Sequence, residues 1–139
     1  MLFVDSSFFV SFAIDTDTNH ARTTKIHLEN LHALHTSEDI IKETLTVISQ
    51  RKGKQFCREF FQDISPILTI LPITTARYAA GLTRFLDPAT PKDISLIDCI
   101  TAVLCHEMGT KRILSFDRHF QRLGLTVVPS ASPLKTAHS

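Results

Sequence analysis

Four acidic residues stand where their types and spacing could do chemistry. Asp5 follows the apolar run Leu2-Phe3-Val4, and Asp117 follows Ile113-Leu114-Ser115-Phe116. Asp98 lies between Ile97 and Cys99 in the most apolar helical segment, with Ile94 four residues before it and Ala102 four after. Glu43 shares a helical face with Ile40 and Val47. Ionised carboxylates in a low dielectric are costly, and the usual remedies are protonation, a cationic partner or a metal ion. No matching set of buried-looking lysines or arginines accompanies these four, whereas a carboxylate-rich oxygen cluster suits Mg²⁺ or Mn²⁺. The chemistry such a cluster offers is metal-assisted work on phosphate. Each acid also has a plain structural use. Asp5 can cap a helix at Ser6-Ser7, Asp117 a turn through Arg118-His119-Phe120, and Asp98 can complete a Ser95-x-x-Asp98 capping box, while Glu43 can sit half exposed.

The elements that must position these residues alternate in kind. Leu2-Phe3-Val4, Ile67 to Leu71, Arg112 to Phe116 and Leu125 to Val128 are too short for helices and rich in β-branched or aromatic residues, so they read as buried strands. A weaker strand is expected at Ala33-Leu34-His35. Between them, Ile40, Ile41, Leu45, Val47 and Ile48 form a helical face behind a Thr36-x-x-Asp39 capping pattern, ending at Arg51-Lys52-Gly53. Phe56, Phe60 and Phe61 mark a short helix directly after it. Thr74 caps a helix towards Phe85 that Asp87-Pro88 stops, and Ile94 to Met108 form a helix that Gly109 closes with a left-handed residue. Alternating helix and strand predicts an α/β domain with a mainly parallel sheet covered on both faces. Asp5 and Asp117 then fall at the carboxyl edge of that sheet, where ligands bind.

The chain has 139 residues, with 15 Lys+Arg against 14 Asp+Glu and a formal net charge of +1. That length suits one domain, here residues 1–129, followed by a loose tail at 130–139. The charge balance excludes a protein that coats nucleic acid or membrane by bulk charge. Cys57, Cys99 and Cys105 form no C-x-x-C pair and read as reduced, buried thiols. No basic leader precedes Asp5, and the longest apolar stretch, Phe8 to Ile14, is far short of the roughly 20 residues that span a bilayer. A cytoplasmic protein is expected.

The acids and their surroundings resemble a family. Val4-Asp5-Ser6-Ser7, Ile40-Ile41-Lys42-Glu43-Thr44-Leu45-Thr46, Ile94-Ser95-Leu96-Ile97-Asp98-Cys99-Ile100 and Arg112-Ile113-Leu114-Ser115-Phe116-Asp117-Arg118-His119-Phe120 look like the four acidic motifs of PIN-domain ribonucleases, especially the VapC-type toxins of toxin–antitoxin systems. The resemblance spans Leu2 to Pro129. It implies a three-layer α/β/α domain and a metal-dependent endoribonuclease in which Asp5, Glu43, Asp98 and Asp117 are catalytic and hold Mg²⁺ or Mn²⁺. Ser7 and Ser115 match polar positions that orient the carboxylates. It further implies an RNA substrate, a cognate antitoxin lying across the active-site groove, and a homodimer. Some relatives carry a further acid just after the last aspartate; here Arg118 and His119 stand there.

Other features point less far. Arg118, Arg122, Lys111, Arg112 and Arg51 to Lys54 could rim the site, with Arg118 the best phosphate contact. His27, His32 and His35 lack zinc-ligand spacing, and His106 and His119 need no role in metal-activated hydrolysis. Asp15-Thr16-Asp17-Thr18 lacks the threonine expected of a D-x-D phosphatase loop, and Lys52-Gly53-Lys54 lacks the glycines of a P-loop. The phenylalanines around Phe8 and Phe60 read as core. The alternatives are a free-standing RNA-processing nuclease of the same fold, a non-catalytic binding module, and a phosphatase or DNA nuclease using the same acids.

Overall fold

The structure is a computed structural model that describes residues 1–26 and 33–129. In chain order it contains β1 (Leu2–Val4), α1 (Ser6–Ala13), α2 (His20–Thr23), β2 (Leu34–Ser37), α3 (Glu38–Lys52), α4 (Lys54–Ile64), a 3₁₀ turn (Ser65–Ile67), β3 (Leu68–Leu71), α5 (Thr75–Phe85), α6 (Leu96–Glu107), β4 (Arg112–Leu114), α7 (His119–Arg122) and β5 (Thr126–Val128). The strands form one five-stranded sheet in the order β3-β2-β1-β4-β5, parallel throughout.

The chain builds outward from β1 through β2 to β3, then crosses to the other side of β1 for β4 and β5. Right-handed crossovers therefore put α1 to α4 on one face and α5 to α7 on the other. Contacts of α1 with α3 and α3 with α4, against those of α5 with α6 and α6 with α7, follow the same division. The three-layer α/β/α expectation is met. The order reverses between β1 and β4, so the carboxyl ends of these two strands flank the topological switch point.

Burial explains why such short strands suffice. Phe3, Val4, Ile113 and Leu114 are at most 1% exposed at the sheet centre, and Phe8, Phe9, Ile40, Ile48, Leu104 and Phe120 pack around them. The N-terminal phenylalanines are thus core, as expected. The α5/α6 pair approaches closely at Gly81, where a Cβ would come within 3.1 and 3.2 Å of the Ile100 backbone. Gly53 and Gly109 take positive φ at the ends of α3 and α6, meeting the expectation for both.

Two local expectations need correction. Thr36 does not cap α3: it remains in β2, where its buried hydroxyl donates to Val4 O at 2.8 Å, and Ser37 caps the helix by accepting from Ile40 N at 3.1 Å. The β4 strand stops at Leu114, because Ser115 and Phe116 turn their polar groups towards the end of β1. His27, His32 and the tail 130–139 lie outside the described residues, whereas His35 is in β2. No helix among the described residues is long and apolar enough to cross a membrane.

Candidate active site

Asp5 ends β1 and opens α1. Its N–H donates to Leu114 O at 2.9 Å across the β1/β4 seam, and its carboxylate caps the helix. Oδ2 accepts from Ser7 N at 3.3 Å, Ser7 Oγ at 2.8 Å and Ser115 Oγ at 2.9 Å. Each serine hydroxyl also accepts one bond, Ser7 Oγ from Phe116 N at 3.0 Å and Ser115 Oγ from Asp117 N at 2.9 Å. A hydroxyl has a single proton to donate. With both protons directed at Asp5, the 3.1 Å approach of the two serine oxygens is a contact between acceptors. Two serines therefore tie the end of β1 to the turn after β4 and fix Asp117 relative to Asp5.

Asp5 is 7% exposed. Burial raises its carboxyl from 3.8 to about 6, against the opposing pull of the Ser7 and Ser115 hydroxyls and the Ser6 and Ser7 backbone. A carboxylate raised in this way is one a nearby cation would relieve.

Asp98 comes from the first turn of α6. It forms the expected capping box: Ser95 N donates to Asp98 Oδ2 and Asp98 N to Ser95 Oγ, both at 3.0 Å. Asp117 accepts from His119 N at 2.9 Å through Oδ1, which turns the His119 ring back towards the acids. Its Nδ1 lies 3.0 Å from Asp117 Oδ1 and 3.9 Å from Asp98 Oδ2. On the far side of the ring, Nε2 is 3.3 Å from Asp93 Oδ2, and Arg122 grips Asp93 with bonds of 3.0 and 2.7 Å. The Arg122 hydrogen bonds hold the Asp93 carboxyl below its ordinary value. One ligand atom each from Asp98, Asp117 and His119 lie within 4.8 Å of one another. Two carboxylates and an imidazole are donors that a divalent cation accepts, so the residues fit such an ion.

The sequence from residue 2 to residue 125 matches the model of the PIN domain. The chain belongs to the PIN domain family. Among curated proteins none matches it in sequence. Solved structures share its fold at low identity. VapC20 of Mycobacterium tuberculosis, described as a Sarcin-Ricin loop cleaving toxin, superimposes with a TM-score of 0.81 at 17% identity, over 91% of this chain and 97% of that one. VapBC2 of Rickettsia felis, solved with a DNA fragment from its promoter, gives 0.66 at 14% identity over 91% and 97%. FitAcB of Neisseria gonorrhoeae gives 0.64 at 16% identity over 91% and 96%. The fold is that of VapC-type toxins.

Within this PIN domain the expected residues divide into two groups. Asp98 and Asp117 come together, and Ser115 links Asp5 to them. Glu43 stands exposed on α3 and lines a groove of about 290 Å³ with Ser6, Ser7, Asp17, Thr18 and Asn19. Ser7 is common to that groove and to the Asp5 hydrogen bonds. Asp17 accepts from Ser11 Oγ at 2.7 Å and Asn19 N at 2.9 Å, which makes the D-x-D segment a loop bracing α1.

The basic rim is narrower than the sequence implies. Lys111 and Arg112 sit at the amino end of β4, opposite Asp117 across the strand's length. Arg122 is engaged by Asp93, Arg51 reaches Thr16 Oγ1 and Asp17, and Lys54 donates to Ser49. Arg118 is exposed beside Asp117 and lines a small cleft with Arg22, Phe116 and Gln121. Arg22 lies 4.9 Å over the Phe116 ring.

Sequence reasoning missed Asp93 and gave His119 no part. The available signal for His119 was its position two after Asp117, the spacing at which a backbone N–H bonds the aspartate side chain. Asp93 carried no comparable signal, since its role depends on α7 lying against the start of α6. The three cysteines are free and buried, and burial pushes the Cys105 thiol up to about 12.

Proposed function

We propose that this PIN domain is a metal-dependent endoribonuclease that hydrolyses RNA phosphodiester bonds, acting in the cytoplasm as the toxin of a toxin–antitoxin pair. The observation that carries the reading is the convergence at the sheet's switch point. Asp98 and Asp117 meet there from two different elements, Ser115 ties Asp5 to Asp117, and the group facing Asp98 and Asp117 is an imidazole rather than lysine or arginine. Asp5, Asp98 and Asp117 would hold Mg²⁺ or Mn²⁺, with Glu43 approaching from the groove across Ser7. A divalent cation supplies an acidified water and neutralises charge developing on phosphate. Ser7 and Ser115 keep Asp5 and Asp117 in fixed relation through their shared hydrogen bonds. Arg118, exposed next to Asp117, would meet a substrate phosphate.

An antitoxin partner is supported by the fold shared with VapC-type toxins. A homodimer is supported by an open groove of about 500 Å³ on the α3/α5/α6 side, floored by Ile97 and Ile100 beside the exposed Tyr78.

The deciding experiment incubates the purified chain with RNA in Mg²⁺, in Mn²⁺ and in chelator. Cleavage is expected only with metal, and Asp98→Asn is expected to lower it by about two orders of magnitude or more. Cleavage in chelator, or an undiminished rate in the variant, refutes the assignment.

A further inference from the structure

The four-acid reading leaves His119 without a task, yet the imidazole occupies the centre of the cluster. We propose that His119 is itself a metal ligand, adding one nitrogen beside Asp98 and Asp117 to the carboxylates that hold the ion, so that the site takes Mn²⁺ in preference to Mg²⁺. This rests on the metal-dependent reading above and specifies its ion.

Geometry is the first support. An octahedral ion with ligands about 2.1 Å away separates neighbouring ligand atoms by about 3 Å and opposite ones by about 4 Å. His119 Nδ1 is 3.0 Å from Asp117 Oδ1 and 3.9 Å from Asp98 Oδ2, within that span.

The second support is the orientation of the ring. A ligating imidazole donates its other N–H to a carboxylate or carbonyl, which fixes tautomer and direction. Asp93 Oδ2 provides such an acceptor 3.3 Å from Nε2, and the twofold grip of Arg122 prevents Asp93 from swinging away. With Nε2–H turned to Asp93, Nδ1 presents a lone pair to two carboxylates. A divalent cation among these lone pairs would take the place that a second ring proton otherwise fills.

Selectivity follows from ligand chemistry. Mg²⁺ takes oxygen ligands and keeps its waters, so an imidazole adds little to its binding. First-row transition cations accept mixed nitrogen and oxygen sets. An all-carboxylate site would favour neither ion by this route.

Electron spin-echo spectroscopy of Mn²⁺ bound to the metal-free full chain reads directly coordinated nitrogen. The wild type is expected to show ¹⁴N modulation, and His119→Gln is expected to lose it, with Mn²⁺ affinity falling about tenfold or more while Mg²⁺ affinity holds. Circular dichroism checks that the variant is folded, and the wild-type spectrum needs no variant. Bound Mn²⁺ that Asp98→Asn releases, but that shows no ¹⁴N coupling in the wild type, overturns the role of His119 and leaves the nuclease reading standing. No bound Mn²⁺ overturns the role of His119, and binding of neither Mn²⁺ nor Mg²⁺ overturns both.

Discussion

Replacing Asp5 with asparagine should stabilise the metal-free protein at neutral pH while abolishing its activity. The carboxyl is 7% exposed, and burial outweighs three hydrogen bonds to Oδ2. Its pKa of about 6 exceeds the ordinary 3.8, so the folded state holds the proton more tightly than the unfolded chain. The stability contributed by that proton is complete below pH 3.8 and is lost as pH rises through about 6. The gap between 3.8 and about 6 corresponds to about 3 kcal/mol. Asparagine keeps an acceptor oxygen for the two serines and never ionises. Near pH 4 or below the two proteins should therefore be similar in stability, and above pH 7 the variant should be the more stable by about 3 kcal/mol. In a chain of 139 residues, that is a rise in melting temperature of about 10 °C.

The assay is thermal or urea denaturation of both proteins in chelator, from pH 4 to pH 8. Taking the difference between them cancels titrations common to both, such as that of Asp93. Adding a divalent cation at a hundred times its dissociation constant should return about 2.7 kcal/mol to the wild type and nearly close the gap. A difference that stays constant with pH refutes the reasoning. So does a wild type that gains on the variant between pH 4 and pH 6, since the hydrogen bonds would then outweigh desolvation.

Ser115→Ala removes a donor to Asp5 and the acceptor for Asp117 N, and denaturation should show a loss of about 1–3 kcal/mol together with slower RNA cleavage. Gly81→Ala should lower the melting temperature although alanine favours helices, because the new Cβ meets Ile100; the cost is about 1–3 kcal/mol, and adding Ile100→Ala should make the pair less than additive. Arg118→Ala, placed on an Asp98→Asn background to prevent cleavage, should weaken RNA binding and reduce the salt dependence by roughly one phosphate contact, read from affinity against salt concentration.

Much of the fold was legible because it depends on local signals. Short β-branched runs and 3.6-residue periodicity located nearly every element, and alternation implied the parallel sheet. What was misread depends on long-range partners. Thr36 and Ser37 are equally good caps by type, and the choice falls to Ser37 because the Thr36 hydroxyl is drawn to Val4 O on the neighbouring strand. Lys111 and Arg112 looked close to Asp117 in sequence, but a strand separates its two ends, and only the carboxyl end faces the switch point. At the candidate site, Asp5, Asp98 and Asp117 stood out by their apolar neighbours in the sequence, whereas Glu43 has such neighbours yet stands exposed on α3. Asp93 was not, because nothing in Pro91-Lys92-Asp93 announces that Arg122 and His119 will meet there.

The structural and the chemical uses of the acids are not rivals. Asp5 directs Oδ2 to the first turn of α1, Asp98 directs Oδ2 to Ser95 N, and Asp117 directs Oδ1 to His119 N. In each case an oxygen satisfies a turn that the chain must make anyway, and the carboxylate keeps lone pairs and charge beyond that bond. Capping thereby fixes the direction of a carboxylate without exhausting it. A residue such as asparagine or serine could cap each turn equally well, but it would not supply the negative charge. Asp98 and Asp117 meet at His119, and Ser115 ties Asp5 to the same turn, so three aspartate caps bring negative charge to the carboxyl ends of β1 and β4 that a neutral cap would not.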